Sequence, residues 1–181
     1  MNLNEPTSRV LAKKIVYQGR IVNVTLDRVR LPHGPEVDME VVRHRGSVVL
    51  LPMPDPNHVI LVKQYRYAID RWIWELPAGC LEPGEEPDAA AARECEEEVG
   101  LVPRRVERLA ALHPSPGYCD EQMIFYRLSG LERPAAGAIP AEKDEDESFE
   151  VRSYSVAEAR ALARRGGIVD LKTAFGLTLI E

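Results

Sequence analysis

The chain is poor in the residues that build disulfide-stapled or membrane-spanning proteins. Of its 181 residues, three are cysteine and 6% are aromatic. Cys80, Cys95 and Cys119 have no C-x-x-C spacing, which argues against a disulfide framework and against structural zinc. They read as small buried apolar residues. No apolar run approaches the ~18 residues that would cross a bilayer. The opening MNLNEPTSRVLAKK lacks the apolar centre of a secretory signal, so a cytoplasmic address is expected and a membrane partner is not. No repeat or low-complexity tract stands out. With 45% hydrophobic and 29% charged residues, the composition is that of a globular chain able to bury a real core.

The net charge is −6, and its distribution says more than its sum. Residues 82–98 hold eight acids and one base, and residues 142–150 hold six acids and one base. The remainder is mildly basic. Two concentrated acidic stretches repel phosphate unless a cation stands between them, so bare nucleic-acid binding is disfavoured. A divalent metal is the obvious intermediary.

RIVNVTLDRVRL (20–31) alternates as a half-buried strand does. Val22, Val24 and Leu26 share one face and Val29 and Leu31 the other, which predicts a bulge near Asp27. With the turn PHGP and the strand EVDMEVVRH, residues 12–45 form a small antiparallel unit. SVVLLPM and HVILVKQYR flank PDPN and predict a hairpin. VERLAALH and QMIFYRLS are further strands around the loop PSPGYCDE. Ser155 and Glu158 make a capping box for a helix that stops at Gly166-Gly167. Asp170 caps a last helix, DLKTAFGLTLI, predicted to run to the C-terminus.

The helix that opens at Glu86-Pro87-Asp88 is unusual in its charges. At about 100° per residue, Ala91, Ala92, Cys95 and Val99 face the core, and Glu94, Glu97 and Glu98 occupy the adjoining arc. Glu96 points away into solvent. Like charges three or four residues apart repel by a few tenths of a kcal/mol, so stability alone does not explain this arc. A hard cation such as Mg²⁺, which takes carboxylates together with water and substrate phosphate, would suit the arc, and so would a solvated surface face that simply bears the repulsion.

Residues 79–101, GCLEPGEEPDAAAARECEEEVGL, match G-x5-E-x7-R-E-U-x-E-E-x-G-U, with U a bulky apolar residue. This resembles the Nudix hydrolase signature at every fixed position, Cys95 being a small choice at the first U. Mechanical reasons accompany the pattern: Gly79 permits a tight turn, Gly100 a left-handed helix end, and Arg93 an ion pair with Glu85. The resemblance implies an α+β Nudix fold, a mixed β-sheet sandwiched between α-helices. An antiparallel β subdomain over residues 1–45 would serve dimerisation, and residues 46–181 would be the hydrolase domain. It also implies Mg²⁺, or Mn²⁺ in its place, held by Glu94 and Glu98 with Glu97 third. The backbone carbonyl of Ala78 would be the non-carboxylate ligand, and Glu97 and Glu98 would be catalytic as well.

ELPAG before the box and SPGYCDE after it are similar to the ADP-ribose pyrophosphatase branch, which carries a proline at a set distance past the box. Pro116 lies 15 residues beyond Leu101. In KDEDESFEV the resemblance points to Glu147, then Glu145, as a carboxylate that binds metal or deprotonates the attacking water. It further implies substrate contacts from Arg66, Glu82 and Ser115, and an adenine site lined by Arg20 and Ile21, often from a partner subunit. Trp72, Trp74 and His113 read as structural. The expected activity is hydrolysis of a nucleoside diphosphate linked to another group, with ADP-ribose first, giving AMP and ribose 5-phosphate. Alternatives are a GDP-sugar, NADH, FAD or a dinucleoside polyphosphate as substrate, or a sensor that binds nucleotide without cleaving it. The intact set Arg93, Glu94, Glu97 and Glu98 stands against the sensor.

Overall fold

The computed structural model describes residues 8–135 and 150–180. The chain divides into two compact units, one of residues up to 45 together with 113–122, the other of 46–112 together with those from 123 onward. The first is an antiparallel meander of β1 (Arg9–Gln18), β2 (Asn23–Arg30) and β3 (Glu36–Arg43). Strands β2 and β3 pair without interruption, whereas β1 shifts register twice against β2, between Val10 and Ala12 and between Ile15 and Tyr17. The irregularity expected at Asp27 is therefore absent from β2 and is carried by β1.

The reason lies in Asp27 itself, which is 2% exposed and shares the buried face with Thr25 and Val29. Arg43 donates to the Asp27 carboxylate and, through Nε, to Thr25 Oγ1 at 3.2 Å. A paired carboxylate is tolerated inside, so the buried face is not the one that the apolar residues mark. The segment 113–122 attaches to the end of β3. Val42 N–H donates to the Tyr118 carbonyl at 2.8 Å, and Asp120 accepts from Arg43 Nη1 at 3.0 Å and from His44 N–H at 2.8 Å.

In the second unit β4 (Ser47–Pro52), β7 (Ala78–Cys80), β8 (Val102–Leu112) and β9 (Met123–Glu132) form a mixed sheet of order β7-β4-β9-β8. Strands β4 and β9 are parallel and the other neighbours antiparallel. A second, antiparallel sheet has β5 (His58–Arg66) between β6 (Arg71–Glu75) and β10 (Glu150–Ser155). SVVLLPM and HVILVKQYR thus enter different sheets, and the predicted hairpin does not form. The cause is visible in β4, all six of whose residues are buried. Val49 and Leu51 pack with Val59, Leu61, Leu76 and Phe125, while Val48 and Leu50 pack with Ala90, Ala91, Cys95 and Tyr126. A strand with apolar partners on both faces belongs at the centre of a covered sheet, not in a hairpin with one face in water.

Helix α1 (Pro87–Glu94) covers one face of that sheet, continues as a π-helical turn over Cys95–Val99, and stops at Gly100, whose φ is 75°. Helix α2 (Val156–Arg164) opens on the expected capping box: Glu158 N–H donates to Ser155 Oγ at 3.2 Å and Ser155 N–H to the Glu158 carboxylate at 3.0 Å. Helix α3 (Leu171–Gly176) is capped by Asp170 as expected but is only six residues long. Beyond it the chain turns, with Leu179 N–H donating to the Gly176 carbonyl, and brings Leu177 and Ile180 into the core. Burying those two side chains outweighs continuing the helix. The architecture is α+β, mixed sheets with few helices. Among the described residues no helix is long and apolar enough to cross a membrane.

Ser155→Ala removes the Oγ acceptor of the α2 cap and should destabilise the fold by about 1 kcal/mol. Thermal unfolding should fall by roughly 2–4 °C in a domain of this size. An unchanged midpoint would show that tertiary contacts alone hold the start of α2.

Candidate active site

The carboxylates of α1 are organised by the one cation among them. Arg93 Nε and Nη2 donate to the two oxygens of Glu85 at 2.8 and 2.9 Å, and Nη1 donates to Glu94 at 2.8 Å and to Glu97 at 2.7 Å. The remaining Nη2 donor reaches the Cys80 carbonyl at 3.4 Å. Every N–H of the guanidinium is thus engaged, and a side chain that could have been a surface ion pair is a half-buried node instead. Glu85 also accepts the Glu82 N–H at 3.0 Å, which closes the loop ahead of the helix. The hydrogen bonds from Arg93 hold the Glu85 carboxyl below its ordinary range, and Glu85 in turn raises the guanidinium.

Two of the glutamates are buried, Glu94 at 8% exposure and Glu98 at 3%. Glu98 accepts the Ala78 N–H at 3.2 Å, so β7 and the π-helical turn are tied at the carboxylate. Glu94 lies against bare backbone at Gly79: a Cβ there would fall 1.9 Å from its Cδ and Oε1. Only glycine leaves that cradle open. Ala78 and Gly79 therefore meet the buried glutamates directly. Glu97 is held by Arg93, and Glu96 is only half-buried.

This donor set suits a hard cation. It offers carboxylate oxygens and no imidazole, and burial, with Glu98 and Glu96, pushes the Cys95 thiol up to about 12, so it stays protonated. Among the described residues no three His, Cys, Asp or Glu side chains converge as a finished cage, because Arg93 draws Glu94 and Glu97 toward itself. Mg²⁺ does not need such a cage, since it commonly takes one or two carboxylates and completes its shell with water and substrate phosphate.

The other expected site residues are divided between the units. Arg66 ends β5 in the second unit, where its guanidinium grips Glu75 at 2.8 and 2.9 Å and feels the charge of Glu98. Glu82 is exposed in the loop that Glu85 closes. Arg20, Ile21 and Ser115 belong to the first unit, with Ile21 47% exposed and not a core residue. Glu145 and Glu147 lie outside the described residues. His113 Nδ1 donates to the Glu121 carbonyl at 2.7 Å. Trp74 packs edge-on against Tyr154, but Trp72 is 56% exposed and only tilts against Tyr65.

Sequence reasoning missed Glu75 and Lys172. Glu75 is 1% exposed, and its carboxylate takes both Arg66 and Lys172. A lone acid closing the apolar strand RWIWE was the available signal.

Residues 43–172 match the NUDIX domain, and the chain belongs to that family. It is 35% identical over 176 residues to the ADP-ribose pyrophosphatase of Bacillus subtilis (strain 168), covering 96% of this chain and 92% of that one. It is also 35% identical over 168 residues to the methanol dehydrogenase activator of Bacillus methanolicus, covering 92% and 88%. A crystal structure of an ADP compounds hydrolase has the same fold, with a TM-score of 0.80 at 22% identity over 96% of this chain and 92% of that one.

Because Arg93 depresses Glu85 below its ordinary value of 4.5, the pair stabilises the fold fully above that pH. The contribution is lost as pH falls through the lower folded value. Glu85→Gln should cost about 1.5–3 kcal/mol at neutral pH and flatten the acid limb of urea-unfolding stability. Equal acid limbs for the variant and the wild type would contradict the assignment.

Proposed function

We propose that this chain hydrolyses the pyrophosphate bond of a nucleoside diphosphate linked to a second group, with ADP-ribose as preferred substrate and AMP and ribose 5-phosphate as products. The observation that carries this reading is the acidic helix face organised by Arg93, with Glu94 and Glu98 buried against Ala78 and Gly79. ADP-ribose is favoured because the relative from Bacillus subtilis bears that substrate in its name and aligns over nearly the whole of both chains.

Glu94 and Glu98 are the proposed holders of a divalent cation, Mg²⁺ or Mn²⁺ in its place, with Glu97 and the Ala78 carbonyl as further ligands. When bound, the cation offsets the charge of the diphosphate and lowers the pKa of an attacking water. Arg93 keeps the glutamates in register despite their mutual repulsion. Arg66 orients the diphosphate, its side chain 41% exposed beyond the Glu75 grip. Glu97 or Glu98 can accept the proton of the water that attacks phosphorus. The assignment of Glu147 or Glu145 to that role rests on the sequence resemblance, as do substrate contacts from Arg20, Ile21, Glu82 and Ser115.

The working form proposed is a homodimer. β1 is an edge strand, exposed at all ten residues and carrying Val10, Leu11, Ile15, Val16 and Tyr17. Such an edge calls for cover. Cys80, Cys95 and Cys119 carry thiols and not disulfides, which suits a reducing cytoplasm. The relative named as an activator supports a second reading, in which nucleotide binding without cleavage serves the regulation of another protein.

Glu98→Gln should lower kcat on ADP-ribose by at least about 100-fold, a loss of about 2.7 kcal/mol in transition-state stabilisation. Turnover should stop on chelation of divalent metal and return with Mg²⁺. Full activity in chelator would refute the reading, and binding without turnover under any metal would favour the regulatory one.

A further inference from the structure

The second unit contains a line of four charges, of which the hydrolysis proposed above uses only Arg66. Glu75 accepts Arg66 Nε at 2.8 Å on one oxygen and Arg66 Nη2 at 2.9 Å on the other. Lys172 Nζ donates to that second oxygen and also to Asp170 at 2.9 Å. Asp170 accepts from Thr173 N–H at 3.0 Å and from its hydroxyl at 2.5 Å, and the same hydroxyl accepts Leu76 N–H at 2.7 Å. The signs alternate along the line, Arg66, Glu75, Lys172, Asp170, and sum to zero. Glu75 and Lys172 are 1% and 8% exposed in their side chains, whereas Arg66 is 41% exposed. The line is closed at its inner end and open at its arginine.

This arrangement bears on how much charge Arg66 has to offer. A buried carboxylate with a single arginine partner would neutralise it and draw it inward. Lys172 offsets the charge of Glu75, so the guanidinium, although bidentate on that carboxylate, keeps a net positive field toward Glu98, whose charge already reaches it. Lys172 comes from α3, 97 residues away in sequence from Glu75. Its place is fixed by the Asp170 cap and by the bond from Leu76, which immediately precedes Pro77 and Ala78 of the candidate active site.

We propose that Lys172, acting through Glu75, is a positioning residue that sets the location and effective charge of Arg66, and with it the affinity of this chain for a nucleoside diphosphate. The identity of that ligand rests on the hydrolase reading. The reading predicts a definite pattern among variants, because charge sharing and simple packing respond differently to removal of two opposite charges.

The test compares full-length wild type, Lys172→Met, Glu75→Gln/Lys172→Met and Arg66→Ala, alone and combined with Lys172→Met. Calorimetric affinity for ADP, and KM and kcat for ADP-ribose, are all measured with Mg²⁺. Lys172→Met should weaken ADP binding and raise KM by about 10-fold while kcat changes by less than about 2-fold, a loss of uniform binding. Removing the Glu75 charge as well should recover most of that affinity, since Arg66 is then unneutralised. In the Arg66→Ala background, Lys172→Met should have no further effect. Should Lys172→Met fail to fold, Lys172→Gln keeps a donor without the charge, and the double variant leaves no unpaired buried carboxylate. A double variant weaker than Lys172→Met, equal losses with and without Arg66, or no ADP affinity in the wild type would each overturn the proposal. Because ADP affinity requires no turnover, an inactive wild type that still shows this pattern would reject the hydrolase reading alone.

Discussion

Arg93 holds together a stretch of chain that its own charges would otherwise push apart. Four carboxylates fall within five positions of one helix, and an uncompensated run of this kind would fray. The guanidinium prevents this by spending its donors on Glu85, Glu94, Glu97 and the Cys80 carbonyl, half-buried where each bond counts for more than it would in water. The loop before the helix and the helix itself are thereby one body. Glu94 reaches bare backbone at Gly79 and Glu98 reaches the Ala78 N–H only because that body is closed.

The consequence is a site that is acidic and placed at a sheet edge. β7 is three residues long and pairs with β4, which is fixed by two apolar clusters. The backbone that meets the glutamates is therefore anchored to a strand buried at all six of its residues. On its other flank the chain from Glu75 to Pro77 is held from α3, by Lys172 at the carboxylate and by the Thr173 hydroxyl at Leu76. Two elements remote in sequence thus converge on a few residues of backbone. Acidic charge and basic charge are supplied from the two sides, where the cation and the diphosphate are proposed to bind.

What could be read in advance was local. The box, the start of α1 at Pro87, the Gly100 stop and the Ser155 and Asp170 caps all depend on residues within a few positions of one another, and each is present. Pairing was legible in the antiparallel unit joined by PHGP and not in the second unit. A fully apolar strand such as β4 does not reveal its neighbours, and PDPN looks the same between sheets as within one. Asp27 deceived the alternation because its burial rests on Arg43, 16 residues away. Glu75 and Lys172 are 97 residues apart, and neither carries a motif. The π-helical turn has no sequence mark either, since its support is the Glu98 bond to another element.

The buried pair Glu94 and Glu98, kept in place by Arg93, is the proposed seat of a divalent cation beneath a diphosphate. The most direct measurement is an anomalous difference map from crystals soaked in Mn²⁺ with a non-hydrolysable ADP-ribose analogue. The account predicts a peak at the Glu94 and Glu98 carboxylates, with the analogue's phosphates in its shell. A peak confined to other acidic residues, or an analogue bound with no metal at these glutamates, would contradict it.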